Sequence, residues 1–400
     1  MVCLKMRLLM LNNEYPPIGG GTATANYNVI RQMASQGIQV DLVTSLPHGH
    51  APEVEQLSPT ARVFRIPINN QNPHYQSERE LLTYIYNAFF FIRTLYRGNE
   101  PKYDLCHAWS GLPSGALALL LKWKRELPYV VGLRGSDVPG YDVRYLWLYP
   151  FLKPALHQIW GQASSITANS YELRNLAREF RPKDHIEVIP NGVDLARFHS
   201  TLLLDKSPNE TFNILCVARL VERKGITDLI QSAHYIRQVR QNFKIILVGR
   251  GDKEKEYRQM VEAEGLGEYI EFRGMVLHFD VPAIYNEADV FVLPSFNEGM
   301  SNALLEAMAS GLPIITTYTG GTVEMLRGNG LLVPKQSPDA IAKGILEIWK
   351  DYALRKQMGE RSRQIAESLT WEQVASDYLN LYERTLQAVY RGHKLQPYMG

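Results

Sequence analysis

The sequence predicts an α/β protein of two doubly wound parallel-sheet domains, and three observations carry that prediction. The chain has 400 residues, more than one hydrophobic core usually organises, so two domains of similar size are expected. Short β-rich runs alternate with segments of helical period, the pattern of strands joined by crossover helices. The alternation pauses once, after Phe198 in "HSTLLLDKSPNET", and then begins again.

In chain order, "KMRLLML", "IQVDLVT", "ARVFRIP", "YDLCHAW", "PYVVGLR", "SSITANS" and "HIEVIP" read as the strands of the first domain. "FNILCVA", "FKIILVG", "YIEFRG", "DVFVLP", "LPIITT" and "GLLVP" read as those of the second. The chain closes in helices, of which "TWEQVASDYLNLYERTLQAV" has apolar residues at helical spacing. The expected parts are a domain at 1–197, a linker at 198–211, a domain at 212–370 and a C-terminal helix and tail at 371–400. Open sheets of this kind bind ligands beyond the carboxyl ends of their strands, so if the two domains face each other the substrate site is the cleft between them.

Hydrophobic residues make up 45% of the chain, which makes both domains globular. A net charge of +2 and a pI near 8.2 exclude a strongly basic nucleic-acid binder, and no run of like charge suggests a binding tail. Residues 1–200 hold 20 Lys+Arg against 16 Asp+Glu, or +4, and residues 201–400 hold 23 against 25, or −2. That mild asymmetry suits a first domain held near an anionic surface. Cys3, Cys106 and Cys216 lie far apart in apolar stretches, which predicts buried thiols in a reducing compartment and no zinc site. The apolar start "CLKMRLLML" is too short to span a membrane and has no small-residue cleavage site, so it reads as a buried strand of a cytoplasmic protein.

Three stretches offer chemistry. "NNEYPPIGGGTATANYNVI" sets Gly19, Gly20 and Gly21 before a helix, where backbone amides can approach an anion closely. The dinucleotide fingerprint needs a further glycine where this chain has Thr24, and Asp41 falls in mid-strand, so a nicotinamide-binding dehydrogenase is disfavoured. The loop also fits a plain tight turn. "VARLVERKGITDLIQSA" places Arg219 and Lys224 after a strand and ahead of a helix, where two cations and the helix dipole suit a diphosphate. Ordinary surface cations would give the same pattern.

"EGMSNALLEAMASG" starts with Glu298 in a loop, offers Ser301 as a helix cap, carries Glu306 on the helix and ends at Gly311, a helix stop. The amides from Gly299 through Met300, Ser301 and Asn302 to Ala303 are open to anions and sugar oxygens, and carboxylates accept sugar and ribose hydroxyls. A capped helix with an incidental acid fits the local sequence as well.

Taken in order, "PPIGGGTATANYNVIRQMASQG", "GLRGSDVPGY", "ITANSYELRNL", "VIPNGVDLARF", "VARLVERKGITDLIQSA", "ILVGRGD", "IEFRGMV", "LPSFNEGMSNALLEAMASGLPII" and "TWEQVASDYLNLY" resemble the retaining glycosyltransferases of family four. Their GT-B architecture has two facing Rossmann-like domains with an interdomain cleft, and the resemblance covers nearly the whole chain. It implies a C-terminal helix packing back on the first domain and a nucleotide-sugar donor held mainly by the second. Arg219 and Lys224 would grip the diphosphate, Glu306 the ribose hydroxyls and Glu298 the donor sugar, helped by the amides after Gly299. Gly20 and Gly21 would close on the phosphates, Gly249 would lie in the donor loop, and the backbone around Gly274, Met275, Val276 and Leu277 would frame the base. The resemblance implies no cofactor and no divalent metal, and catalysis by neutralising the leaving diphosphate.

One position departs from the family. Many members have histidine where this chain has Arg134, which can donate hydrogen bonds but cannot act as a base near neutral pH. His107, ending a neighbouring strand, is a candidate substitute, although a lone histidine also fits a structural place. Asp137 is a candidate for holding an acceptor or orienting Arg134. Residues 81–96 are apolar almost all round and read as a core helix. The aromatic stretch from 143, with Arg144 and Lys153, reads as an exposed acceptor or membrane-facing surface. The expected activity is transfer of a hexose, glucose first, from a UDP-sugar to a saccharide or lipid-linked saccharide in exopolysaccharide or envelope synthesis, with peripheral contact to an anionic membrane. The rivals are a nucleotide-sugar epimerase of the same architecture and a catalytically silent sugar-nucleotide-binding protein.

Overall fold

The computed structural model describes residues 6–47, 54–70, 76–96, 102–141, 147–199, 210–276 and 280–392. They form two compact units, Met1–Pro190 with Trp371–Gly400, and Asn191–Thr370.

The first unit has strands β1 (Arg7–Leu11), β2 (Gln39–Pro47), β3 (Val54–Ser58), β4 (Ala61–Asn70), β5 (Leu105–Ala108), β6 (Tyr129–Leu133), β7 (Ser165–Ala168) and β8 (Ile186–Val188). Between them run helices α1 (Gly21–Ser35), α2 (Glu78–Leu95), α3 (Ser114–Arg125), α4 (Tyr149–Gln162) and α5 (Tyr171–Phe180). The sheet order is β3-β4-β2-β1-β5-β6-β7-β8, parallel except at one edge. All five residues of β1, Arg7 to Leu11, are buried, as expected of a central strand covered on both faces. Asp41, on β2 and paired with Leu9, is likewise buried and takes salt bridges from Arg7 at 3.0 Å and Arg62 at 2.7 Å. It is an internal charge anchor of the sheet.

The second unit has β9 (Phe212–Val217), β10 (Phe243–Val248), β11 (Ile270–Gly274), β12 (Val290–Leu293), β13 (Ile314–Thr317) and β14 (Gly330–Val333). Its helices are α6 (Ile226–Arg237), α7 (Glu254–Ala263), α8 (Val281–Asn286), α9 (Asn302–Ala309), α10 (Gly320–Met325), α11 (Pro338–Lys350) and α12 (Tyr352–Ala366). The order β11-β10-β9-β12-β13-β14 is parallel throughout. One continuous core runs from Val193 to Ala366 around this sheet.

The last helix, α13 (Trp371–Tyr390), belongs to the first unit and packs on α1. Its Trp371, Val374, Tyr378, Leu381 and Tyr382 share a core with Val29 of α1 and with Trp109 after β5. Helices α2 to α5 build a separate core with the same sheet, from Tyr84, Leu117, Ile159 and Leu173 among others.

Three features differ from the sequence reading, and one expected segment falls mostly outside the described residues. Strand β3 is an antiparallel edge strand, a hairpin partner of β4, and its half-exposed "VEQLS" has too little apolar content to announce itself. Residues 191–197, expected in the first domain, pack with the second unit: Asn191 bonds to Met300, and Val193 bridges to Thr370. Most of the linker expected at 198–211 lies outside the described residues. Helix α2 is not core all round. It buries Tyr84, Ala88 and Ile92 but leaves Leu82, Tyr86 and Phe90 exposed.

Candidate functional site

In the second unit the strand order changes direction beside β9: β10 lies on one side and β12 on the other. The carboxyl ends of β9 and β12 therefore flank the crevice where such sheets take ligands. After β9 the chain makes a single tight helical turn, Glu222–Lys224, before α6. Gly225 follows at φ +65°, and a Cβ there would lie 2.0 Å from the Pro294 carbonyl oxygen after β12, so only glycine lets the two loops meet. The Phe296 amide donates to the Arg223 carbonyl at 2.8 Å across the same junction.

This junction brings together two residues 74 positions apart. The Lys224 ammonium donates to Glu298 Oε1, and both side chains are about nine-tenths buried. Ser295 Oγ donates to the same Oε1 at 2.8 Å. Burial pushes the Glu298 carboxyl up, but the Lys224 ammonium, the Arg223 guanidinium and the bonds from Lys224 and Ser295 outweigh it and hold the group below its ordinary value. Burial, with the Arg223 and Arg219 charges, holds the Lys224 ammonium below its ordinary value, and Glu298 offsets only part of that. Arg223 is half-buried and Arg219 exposed in the same loop, so cations outnumber carboxylates there even with Glu298 and Glu222 counted. The backbone of Glu298 is pinned as well: Gly320, at φ +25°, has no room for a Cβ, which would lie 2.0 Å from the Glu298 carbonyl oxygen.

Helix α9 begins as the sequence predicts. Ser301 Oγ accepts from the Leu304 amide at 3.4 Å, and Gly311, at φ +74°, ends the helical segment. Asn191 Nδ2 donates to the Met300 carbonyl at 3.2 Å and to Asn302 Oδ1 at 2.8 Å, fixing the loop ahead of the helix. Glu306, on the second turn, accepts from the Tyr285 hydroxyl at 2.8 Å. Burial raises its carboxyl to about 7, against opposing effects of the Tyr285 bond and Arg197. The two glutamates therefore have separate partners and opposite shifts, and they do not form a carboxylate pair.

Gly249, after β10, sits at φ +133° against the Ala218 carbonyl, and its amide donates to Gly274 at 2.8 Å. Gly249 thus links the loops after β9, β10 and β11. Met275 is exposed and Val276 half-buried beside them, while Leu277 lies outside the described residues.

In the first unit the order changes direction between β1 and β5. Gly19, at φ +100°, turns the chain against Glu14, Gly20 caps α1 and Gly21 opens it. A Cβ on Gly20 would meet nothing within 4 Å, so the loop presents backbone to open space there. His107 is completely buried, with Nδ1 2.6 Å from the Tyr382 hydroxyl and its ring packed on Trp109 and Tyr378. Burial, then the Arg134 charge, holds it well below the ordinary histidine range, so it is a neutral core residue in this arrangement. Asp137 spends its oxygens on the backbone amides of Gly111 (2.7 Å), Arg134 (3.0 Å) and Gly135 (2.9 Å), and burial raises its carboxyl above the usual value. It holds the loop after β6, whereas the Arg134 guanidinium stacks 4.1 Å over Trp109 and donates to Tyr378 at 2.8 Å.

Ser295, Tyr285, Asn191 and Tyr378 are the contacts that sequence reasoning missed. Ser295 stands inside the quoted "LPSFNEG", but nothing in its type or spacing tells which side chain it meets. Among the described residues no three His, Cys, Asp or Glu side chains come together as a metal-ligand set.

Two family models match this chain: Glycosyltransferase Family 4 over residues 19–197, and Glycosyl transferases group 1 over residues 205–365. The chain belongs to the group 1 glycosyltransferases. It is an enzyme of the hexosyltransferase class. This glycosyltransferase is 27% identical to the uncharacterized glycosyltransferase MJ1607 of Methanocaldococcus jannaschii, over 96% of this chain and 100% of that one. It is 26% identical to the putative teichuronic acid biosynthesis glycosyltransferase TuaC of Bacillus subtilis, over 86% and 91% respectively. Among solved structures it superposes on Anabaena HepE in complex with UDP and glucose with a TM-score of 0.73, at 19% identity, over 94% of this chain and 99% of that one. The shared architecture is GT-B.

Proposed function

We propose that this glycosyltransferase is a retaining enzyme that moves a hexose, glucose first, from a nucleoside-diphosphate sugar, UDP-glucose first, to a saccharide or lipid-linked saccharide acceptor in polysaccharide synthesis. The observation that carries the reading is the buried Lys224–Glu298 contact between the carboxyl ends of β9 and β12, with Arg219 and Arg223 in the same loop. The cations suit a diphosphate and the carboxylate suits sugar hydroxyls. Because the two side chains touch, the bond between sugar and diphosphate belongs beside their contact.

When that bond breaks, negative charge collects on the departing phosphate oxygen, and Arg219 and Lys224 stand ready to neutralise it without moving charge in from water. Glu298, held ionised, accepts from sugar hydroxyls near the anomeric carbon. Glu306, eight residues on, takes the ribose hydroxyls, and the amides from Gly299 to Asn302 face the groups between. The acceptor hydroxyl attacks the anomeric carbon from the face on which the bond to the diphosphate breaks and gives its proton to the departing phosphate oxygen, which preserves the anomeric configuration without a carboxylate nucleophile. No divalent metal takes part. UDP is supported by the ligand of HepE, and polysaccharide synthesis by the name of TuaC. A lipid-linked acceptor places the enzyme on the inner face of a membrane as a peripheral cytoplasmic protein.

The test is a panel of nucleotide sugars, with and without chelator, read by release of the nucleoside diphosphate and by the anomeric configuration of the product. Release of UDP from UDP-glucose and an unchanged anomer are expected in both conditions. Isomerised donor without release would make the protein an epimerase, and binding without turnover a silent binding protein.

A further inference from the structure

Helices α2, α3 and α4 form one layer on a single face of the first unit's sheet, opposite the face that carries α1 and α13. On α2, Leu82, Tyr86 and Phe90 recur every fourth residue and are 66%, 63% and 46% exposed. The Tyr86 and Phe90 rings lie 4.7 Å apart, so the stripe is a continuous apolar surface along the helix. Trp123 on α3, Trp147 just ahead of α4 and Phe151 on α4 add exposed aromatics to the same layer. The opposite side of α2 is spent on the core through Tyr84, Ala88 and Ile92, so the stripe contributes nothing to that core.

The charge of this layer decides among occupants. Within the three helices, Arg79 and Arg93 on α2, Lys122, Lys124 and Arg125 on α3 and Lys153 on α4 stand against Glu78 and Glu80, six minus two or +4, in a chain whose net charge is +2. Of these cations Arg79, Arg93, Lys124, Arg125 and Lys153 are exposed. A second copy docked on the same face would set +4 against +4. An anionic bilayer surface satisfies both parts, because apolar and aromatic side chains enter the headgroup boundary while lysines and arginines meet the phosphates.

We propose that the outer face of the α2–α3–α4 layer is a docking surface for anionic phospholipid, with the Leu82–Tyr86–Phe90 stripe as its inserted element. The proposal rests on the reading of a lipid-linked acceptor and names the part of the chain that brings the enzyme to it.

The experiment is co-sedimentation of the full chain with vesicles of phosphatidylglycerol and phosphatidylcholine, or of phosphatidylcholine alone, beside turnover on a soluble acceptor. The full chain sediments with the anionic vesicles, releases at high salt and stays in solution with neutral ones. Leu82→Ser/Tyr86→Ser/Phe90→Ser lowers the partition at least about tenfold, as does Arg79→Glu/Lys124→Glu, with the melting temperature and soluble-acceptor turnover unchanged. Wild-type protein left in the supernatant of both vesicles, equal sedimentation of the triple variant, or a dimer that the triple variant dissociates would each overturn it. Failure of the donor reading appears separately, as no nucleotide release in the absence of vesicles.

Discussion

Glu298 and Lys224 hold each other in a place where neither is stable alone. Replacing Glu298 by alanine strands an ammonium that is about nine-tenths buried, which costs about 3–5 kcal/mol of stability. Glu298→Ala/Lys224→Met should recover most of that loss in urea titrations while still losing transfer, which separates the structural cost of the single variant from its chemical one. An undiminished midpoint for Glu298→Ala would show that the pair is not buried in solution. Ser295→Ala removes a donor to the same oxygen and should lower turnover more than donor binding. For Glu306 the sign follows from burial: its carboxyl lies near 7 when folded against an ordinary 4.5. The folded state therefore binds more protons than the unfolded one between those values, and this residue's contribution to stability falls as pH rises through that window and levels off above it. If the ionised form is the one that accepts ribose hydroxyls, affinity for intact donor should climb up to about tenfold from pH 6 to pH 8. Glu306→Gln should flatten both dependences, measured by thermal shift and calorimetry; a slope unchanged in the variant would assign it to another group.

Among the elements, those whose sequence carries its own boundary signals were legible. Helix α9 starts at Ser301 and ends ahead of Gly311 because a capping hydroxyl and a left-handed glycine act within a turn of themselves. Ser301→Ala should cost roughly 1 kcal/mol in urea unfolding. The fully buried strands were legible too, since apolar runs such as Leu8–Leu11 need no partner to be recognised. Strand β3 was not, because its register comes from β4 and not from its own residues. Gly225 shows the same limit at a loop: nothing near it in sequence tells that Pro294 will stand 2.0 Å from its missing Cβ. Gly225→Ala should therefore cost clearly more than the 1 kcal/mol of a helix cap and lower turnover along with stability, because it parts the two loops that bring Lys224 to Glu298. Helix α2 was read as core because its composition is apolar all round, whereas the surface of the unit supplies only one face for it to cover.

At the scale of the whole molecule, two units fold around separate cores, and α13 returns from the end of the second to complete the first. Truncation after Thr370 uncovers Trp109, Val29 and the ring of His107 by removing Tyr378, Tyr382 and Leu381. Calorimetry should then lose the transition of the first unit and keep that of Asn191–Thr370; two intact transitions would mean that α13 is dispensable. The sequence by itself determined the α/β class, the parallel sheets implied by alternation, the two-part organisation, the family and the loops that carry Gly19–Gly21, Arg219–Lys224 and Glu298–Glu306, because each of these is written in local pattern or in a short motif. Only the tertiary structure decided that Lys224 meets Glu298, that Tyr285 holds Glu306, that His107 is sealed beneath α13 and that one side of α2 is left apolar and open. Those facts depend on which distant segments become neighbours, and burial and charge at a site are properties of neighbours.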